Sequence, residues 1–184
     1  MFRFFLALVS LSFSVYLLPG LWGAPLKSVS AFVPPLYTQD FNLYDEGMAH
    51  YDDFDEGMKA AQAQGKPAFI DFSGYGCVNC RKMETAVLNN TKVKDMLEKD
   101  FVFITLMVDD KRPLPEPIYV NENGRQVKLE TYGDRWSYLQ RHKFNANSQP
   151  YYAVLNENGE LASGPYFYDE DVEKFIEFLN AGNK

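Results

Sequence analysis

The chain has 184 residues, 46% of them hydrophobic, with 18 Lys and Arg against 25 Asp and Glu and a net charge of −7. Its length suits one domain plus an appendage, and its 15 Phe, 12 Tyr and 2 Trp need burial, which excludes disorder as the main state. The acidic balance argues against a nucleic-acid binder, and two cysteines exclude a disulfide-rich scaffold and, unless His50 and His142 both join them, a four-ligand zinc site.

The charge is unevenly spread. Residues 1–39 hold no acid and only Arg3 and Lys27, whereas all 25 acids lie from Asp40 onward against 16 bases, a net −9. The first 26 residues are dominated by Phe, Leu, Val and Ala, and two roles fit them. A secretory signal would run from Arg3 to the breaker Pro19-Gly20, with Val29-Ser30-Ala31 the best cleavage site. An uncleaved membrane helix would place Trp22 at its outer interface. Either role exports the rest of the chain. Residues 27–50, with Pro34-Pro35, show no period and are expected to be a linker.

From Asp52 or Asp53 a helix is predicted, with Phe54, Met58 and Ala61 on one face and Gly65-Lys66-Pro67 ending it. Pro67–Phe72 is a short apolar run suited to a buried strand, followed by the turn Ser73-Gly74-Tyr75-Gly76. Cys77 to Leu88 favours helix, and Thr91 is the expected cap of a second short one. Phe101–Val108 is apolar on both faces and is expected to be a central strand. An irregular stretch, 111–117, leads into a hairpin of Ile118–Val120 and Gln126–Leu129. Asp134 is expected to cap a helix carrying Trp136, Leu139 and Phe144. After Gln149-Pro150 come a strand at Tyr151–Leu155, a turn, a returning strand toward Tyr168, and an amphipathic helix from Asp169 to Asn180. Alternating strands and helices of this kind predict an α/β layer fold.

The chemistry centres on Cys77-Val78-Asn79-Cys80. A metal site usually needs a second pair of ligands, and no further cysteine exists; a copper site using Met83 and one His is the remaining metal alternative. A structural bridge over so short a loop would constrain the unfolded chain little. The context of strand, turn and helix start favours redox chemistry, because orphan amides and the helix dipole stabilise a thiolate at Cys77. Cys80, one turn further in, is expected to be more buried. Residues 77, 80 and 84 share a helix face, which brings Glu84 to the pair, and Asp71 is expected to reach it from the end of the preceding strand. Negative charge there would oppose thiolate formation.

Lys66 to Glu84 resembles the thioredoxin-like family, and more closely the C-terminal exported domain of the transmembrane thiol:disulfide interchange protein DsbD. The resemblance covers about residues 50–182. The N-terminal segment with Gly20-Leu21-Trp22-Gly23 is similar to that family's last membrane helix. It implies a thioredoxin-like α/β fold: a central mixed β-sheet flanked by helices, with a hairpin insertion and an N-terminal apolar helix. The expected organisation is anchor or signal at 1–26, linker at 27–50 and thioredoxin-like domain at 51–184. It also implies that Cys77 attacks, Cys80 resolves and Asp71 and Glu84 flank them. A cis-proline loop at Gln149-Pro150 is implied beside the dithiol, where the Gln149 backbone would pair with an extended partner; Tyr75 and Gly76 are the other expected partner contacts. No metal or separate cofactor is expected beyond the Cys77–Cys80 disulfide.

The implied activity is protein-disulfide reduction on the periplasmic side of the inner membrane. Electrons would come from a membrane electron-transfer domain and pass to disulfide-bearing exported proteins, including those of cytochrome c maturation. A dithiol oxidase and a non-enzymatic metal-binding or docking module are the alternatives. Gly76 departs from the family pattern, which commonly has Trp before the first cysteine, and the 111–130 stretch is longer than a minimal thioredoxin needs. With at most one membrane helix, the chain is expected to be either a fragment of a larger membrane protein or a protein reduced by a separate membrane partner.

Overall fold

A computed structural model describes residues 2–22, 26, 29, 49–122 and 124–183. Most of the expected linker, and Ser30 and Ala31 of the candidate cleavage site, lie outside the described residues. The chain divides into two compact units, Met1–Gly47 and Met48–Lys184. In the first, helix α1 (Phe2–Leu17) runs into a 3₁₀ turn (Leu18–Trp22). Together they make 21 residues of mean hydropathy 2.0, long and apolar enough to cross a bilayer. A signal segment has the same length and composition.

The second unit is built on a five-stranded sheet in the order β1-β3-β2-β6-β7. Its strands are β1 (His50–Tyr51), β2 (Ala68–Ser73), β3 (Val102–Met107), β6 (Tyr151–Leu155) and β7 (Leu161–Tyr166). β1, β3 and β2 run parallel, whereas β6 and β7 are antiparallel to their neighbours. β2 is the middle strand, and β3, expected to be a central strand, is an interior one, paired with β2 on one side and the two-residue β1 on the other. Every residue of β2, β3 and β6 is buried, which is why these strands read as unbroken apolar runs rather than alternating ones.

Alternation along β2 separates two cores. Ala68, Ile70 and Phe72 pack with Ala61 of α2 (Phe54–Gln64) and Trp136 of α5 (Tyr132–Lys143). Phe69 points the other way. It packs with Met83 of α3 (Val78–Met83), Val93 and Leu97 of α4 (Thr91–Asp100), and Phe175 and Leu179 of α6 (Val172–Gly182). Asp71 and Ser73, at the same parity as Phe69, therefore belong to the α3 side.

The caps refine the expected boundaries. Asp53 caps α2, accepting from the amides of Asp55 and Glu56, and Gly65 closes it in the left-handed conformation (φ 61°) that favours glycine. The cap of α4 is Asn90, not Thr91, since its side chain accepts from the Lys92 amide. Thr131, not Asp134, caps α5; Asp134 instead bonds back to the Thr131 amide as the third residue of a capping box. Asp171, two residues after the expected start, caps α6. The expected helix through 88 is broken as well. α3 ends at Met83, and Glu84–Leu88 form a π turn.

The stretch expected to be irregular already belongs to a strand. β4 (Pro113–Glu122) pairs with β5 (Arg125–Thr131) in a separate two-stranded sheet, bulged between Pro113 and Ile118. Exposure of nearly every residue along an isolated hairpin removes the buried-strand signature that marked β2 and β3.

Candidate active site

Strand register gathers the site. Ser73 at the end of β2 lies opposite Met107 at the end of β3, and Phe72 lies opposite Tyr151 at the start of β6. The turn before Cys77, the Val108–Asp110 loop and the Gln149-Pro150 loop therefore emerge at one end of the sheet. Gln149-Pro150 is a cis peptide, with Pro150 buried and the Gln149 side chain donating to Gln140.

Cys77 and Cys80 form a disulfide with S–S 2.02 Å. Cys77 is the N-cap of α3: its Sγ accepts from the Cys80 amide at 3.2 Å. Cys77 is half-buried, and Cys80 is only 1% exposed. One sulfur is thus reachable by a large partner and the other is not.

The turn carrying the dithiol is tied down by a residue that sequence spacing does not mark. Asp109 accepts from the Tyr75 amide at 2.8 Å and the Gly76 amide at 3.0 Å. Its distance of 33 or 34 residues along the chain hides it; only the parallel pairing of β2 and β3 places it there. Both amides are therefore bonded to a carboxylate. Asp109→Ala should lower the urea midpoint by the equivalent of about 1–2 kcal/mol, because it removes two charge-assisted bonds at a partly exposed site. An unchanged midpoint would mean that solvent replaces both bonds at no cost.

Asp71, Arg81, Glu84 and Tyr152 form a largely buried polar cluster on the α3 side of the sheet. Asp71 is the fourth of six residues in β2, not at its end, and is 3% exposed. Its sheet neighbours in register are Thr105 on β3 and Tyr152 on β6. Burial, reinforced by the charge of Glu84 and opposed by Arg81, pushes the Asp71 carboxyl up to about 8. At neutral pH it is mostly protonated, so the fixed negative charge expected at this position is largely absent. Glu84, on the π turn, is pushed up to about 7 by burial, with Arg81 acting in the opposite sense through charge and hydrogen bonding. Tyr152, fully buried, is held well above the usual phenol range by burial and then by the two acids.

Arg81 was not among the expected site residues. It is 3% exposed, its Nη1 lies 2.7 Å from Glu84, and its Nη2 donates to Ser73 Oγ at 3.1 Å and the Gly74 carbonyl at 3.3 Å. The i,i+3 spacing from Arg81 to Glu84 is a readable signal for the pair. Its burial is not, because an Arg beside a helical Cys is ordinarily a surface residue.

Around the disulfide, Tyr75 and Val78 are 45% and 43% exposed. Phe167 and Tyr168 are exposed as well. Phe167 packs edge-on against Tyr151, beside the cis-proline, and Lys82 Nζ sits 5.9 Å from the Tyr168 ring. Met83, the copper alternative's thioether, is buried in the apolar cluster with Phe69 and Val87. Among the described residues no group of three or more His, Cys, Asp or Glu converges as a metal site.

This is the geometry of a two-cysteine exchange site: an accessible sulfur, a shielded one and a buried carboxyl that titrates near neutrality. The sequence profile of the thioredoxin-like family matches residues 49–156, and the chain belongs to that family. Among solved structures it is similar to a thioredoxin from Thermus thermophilus, with 21% identity, 73% of this chain and 86% of that one covered, and TM-score 0.52. It is similar to the DsbH oxidoreductase, with 14% identity over 78% of this chain and 92% of that one, TM-score 0.53. The reduced C-terminal domain of DsbD from Neisseria meningitidis gives 19% identity over 72% of this chain and 98% of that one, TM-score 0.50. At these identities the likeness is one of fold. No curated protein sequence matches the chain.

Proposed function

We propose that the protein is an exported protein-disulfide reductase, similar in role to the DsbD C-terminal domain and working on the periplasmic side of the inner membrane. It takes electrons from a membrane reductase domain and passes them to disulfide-bearing envelope proteins, those of cytochrome c maturation among them. The observation that carries this reading is the half-buried Cys77 joined to a shielded Cys80, with the buried carboxyl of Asp71 on the strand face that α3 covers.

In the reduced protein the Cys77 thiolate attacks a substrate disulfide, forming a mixed disulfide and expelling one substrate thiolate, which takes a proton from solvent. Cys80 then gives its thiol proton to the Asp71 carboxylate and attacks Cys77 Sγ. The second substrate thiolate leaves, and two electrons have passed to the substrate. The enzyme is left with the Cys77–Cys80 disulfide and a protonated Asp71, the state favoured at neutral pH in the oxidised structure. Re-reduction reverses these steps. Gln149 and Pro150, with Tyr75 and Gly76, form the surface against which the partner's backbone lies.

The reducing direction is supported by the surroundings of Cys77. An oxidising dithiol depends on a stabilised thiolate. Here Asp109 occupies the two amides before Cys77, and Arg81 is bonded to Glu84, Ser73 and Gly74. These groups are therefore not free to add to the α3 N-terminus, whose Cys80 amide reaches Cys77 Sγ at 3.2 Å, in holding a thiolate.

The test is capture. Full-length Cys80→Ser protein, incubated with an envelope extract, should accumulate covalent adducts that dithiothreitol releases and that Cys77→Ser/Cys80→Ser lacks. Equilibrated with glutathione, the wild-type dithiol should show a potential on the order of −230 mV or below. Adducts independent of Cys77 would sink the nucleophile assignment; a strongly oxidising potential would make the protein an oxidase.

A further inference from the structure

We propose that Arg81 decides which of two neighbouring carboxyls, buried Asp71 and part-buried Glu84, keeps its proton: it holds Glu84 as its ion-pair partner and so leaves the proton on Asp71. This deepens the reductase reading, on which its functional meaning rests, but it concerns a titration that stands without a redox partner.

The geometry separates two otherwise similar acids. Arg81 Nη1 is 2.7 Å from each carboxylate oxygen of Glu84, and Nη2 is anchored to Ser73 Oγ and the Gly74 carbonyl, so the guanidinium is fixed toward Glu84. Asp71 has no such partner. Among the described residues, its Oδ1 and Arg81 Nε are the buried side-chain polar atoms with no hydrogen bond. Two neighbouring carboxyls shielded from water cannot both ionise easily, so the one with the cation gives up its proton first.

The groups facing Asp71 complete the balance. Arg81 comes from α3, Glu84 from the π turn, Tyr152 and the uncharged Thr105 from the flanking strands, and Tyr166 adjoins Tyr152. Tyr152 stays neutral. Glu84 raises Asp71 more than Arg81 lowers it, so the guanidinium acts on Asp71 chiefly by keeping Glu84 charged. For the proposed cycle, the consequence is placement. The group that takes and returns the Cys80 proton is the strand residue at the centre of the sheet, while Glu84 stays committed to its ion pair.

The test uses oxidised protein with ¹³C-labelled Asp and Glu carboxyls, titrated by NMR. In the wild type, Glu84 should titrate below Asp71. In Arg81→Met the order should invert, with the Glu84 midpoint rising by about one pH unit or more and Asp71 falling. Arg81→Lys should restore the wild-type order. Glu84→Gln, which keeps the guanidinium, should lower the Asp71 midpoint, and it decides the matter if Arg81→Met does not fold. The proposal is overturned if Glu84 remains the lower-titrating acid in Arg81→Met, or if Glu84→Gln leaves Asp71 unmoved. Because no thiol exchange enters the measurement, these failures are distinct from failure of the adduct experiment.

Discussion

Asp71→Asn should stabilise the oxidised protein by as much as about 5 kcal/mol at pH 9, but by less than about 1 kcal/mol at pH 4. In the folded protein the Asp71 carboxyl is pushed from 3.8 up to about 8, chiefly by burial. Between those two values the folded state holds a proton that the unfolded chain has released. The folded state therefore binds more protons across that window, and stability must fall as pH rises through it. Above pH 8 the native state carries a buried carboxylate whose Oδ1 has no hydrogen-bond partner, and the full cost is present. The amide keeps the shape and removes the charge. Glu84, raised from 4.5 to about 7, adds a slope of the same sign that the Asn variant retains. Urea unfolding from pH 4 to 9 checks the prediction. A wild-type midpoint that does not fall with pH, or an Asn variant that parallels it, would rule it out.

The same substitution should slow the resolving step about 100-fold near pH 7, in the middle of the range that one positioned acid–base group commonly contributes. Cys80 is 1% exposed, so its proton needs an acceptor inside the protein. Alternation along β2 puts Asp71 on the face covered by α3, whose inward positions include Cys80 and Met83. The initial attack by the half-exposed Cys77 does not need that acceptor and should change only a few-fold. Single-turnover mixing of a preformed Cys77 mixed disulfide separates the two steps. The deficit should widen from pH 7 to pH 9, as the wild-type Asp71 carboxyl, raised to about 8, ionises and becomes available as the acceptor. Equal resolution rates at pH 7 would remove Asp71 from the proposed proton path. One residue is thus expected to make the protein less stable and more active, a balance typical of a buried functional charge.

Much of this architecture was legible in the chain. Asp53 and Gly65 mark real boundaries because caps depend on a few neighbouring residues. The strands buried on both faces were visible as apolar runs. Cys77 and Cys80 stood out by their spacing, their position after a strand and turn, and the absence of other cysteines. Cap identity was less secure where two polar residues compete, as Asn90 and Thr91 do, because backbone geometry chooses between them.

The sequence by itself determined an apolar N-terminal segment, a layered α/β body and a dithiol at a helix start, since these depend on local periodicity and residue type. Only the tertiary structure decided the electrostatics of the site. Strand pairing brings Asp109 to the amides before Cys77 across more than thirty residues. Burial raises the Asp71 carboxyl to about 8 instead of leaving it the fixed charge its type suggested, and Arg81 lies buried against Glu84. The physical reason is that proton affinity depends on desolvation and on charges a few ångströms away, and neither is written in the order of residues along the chain.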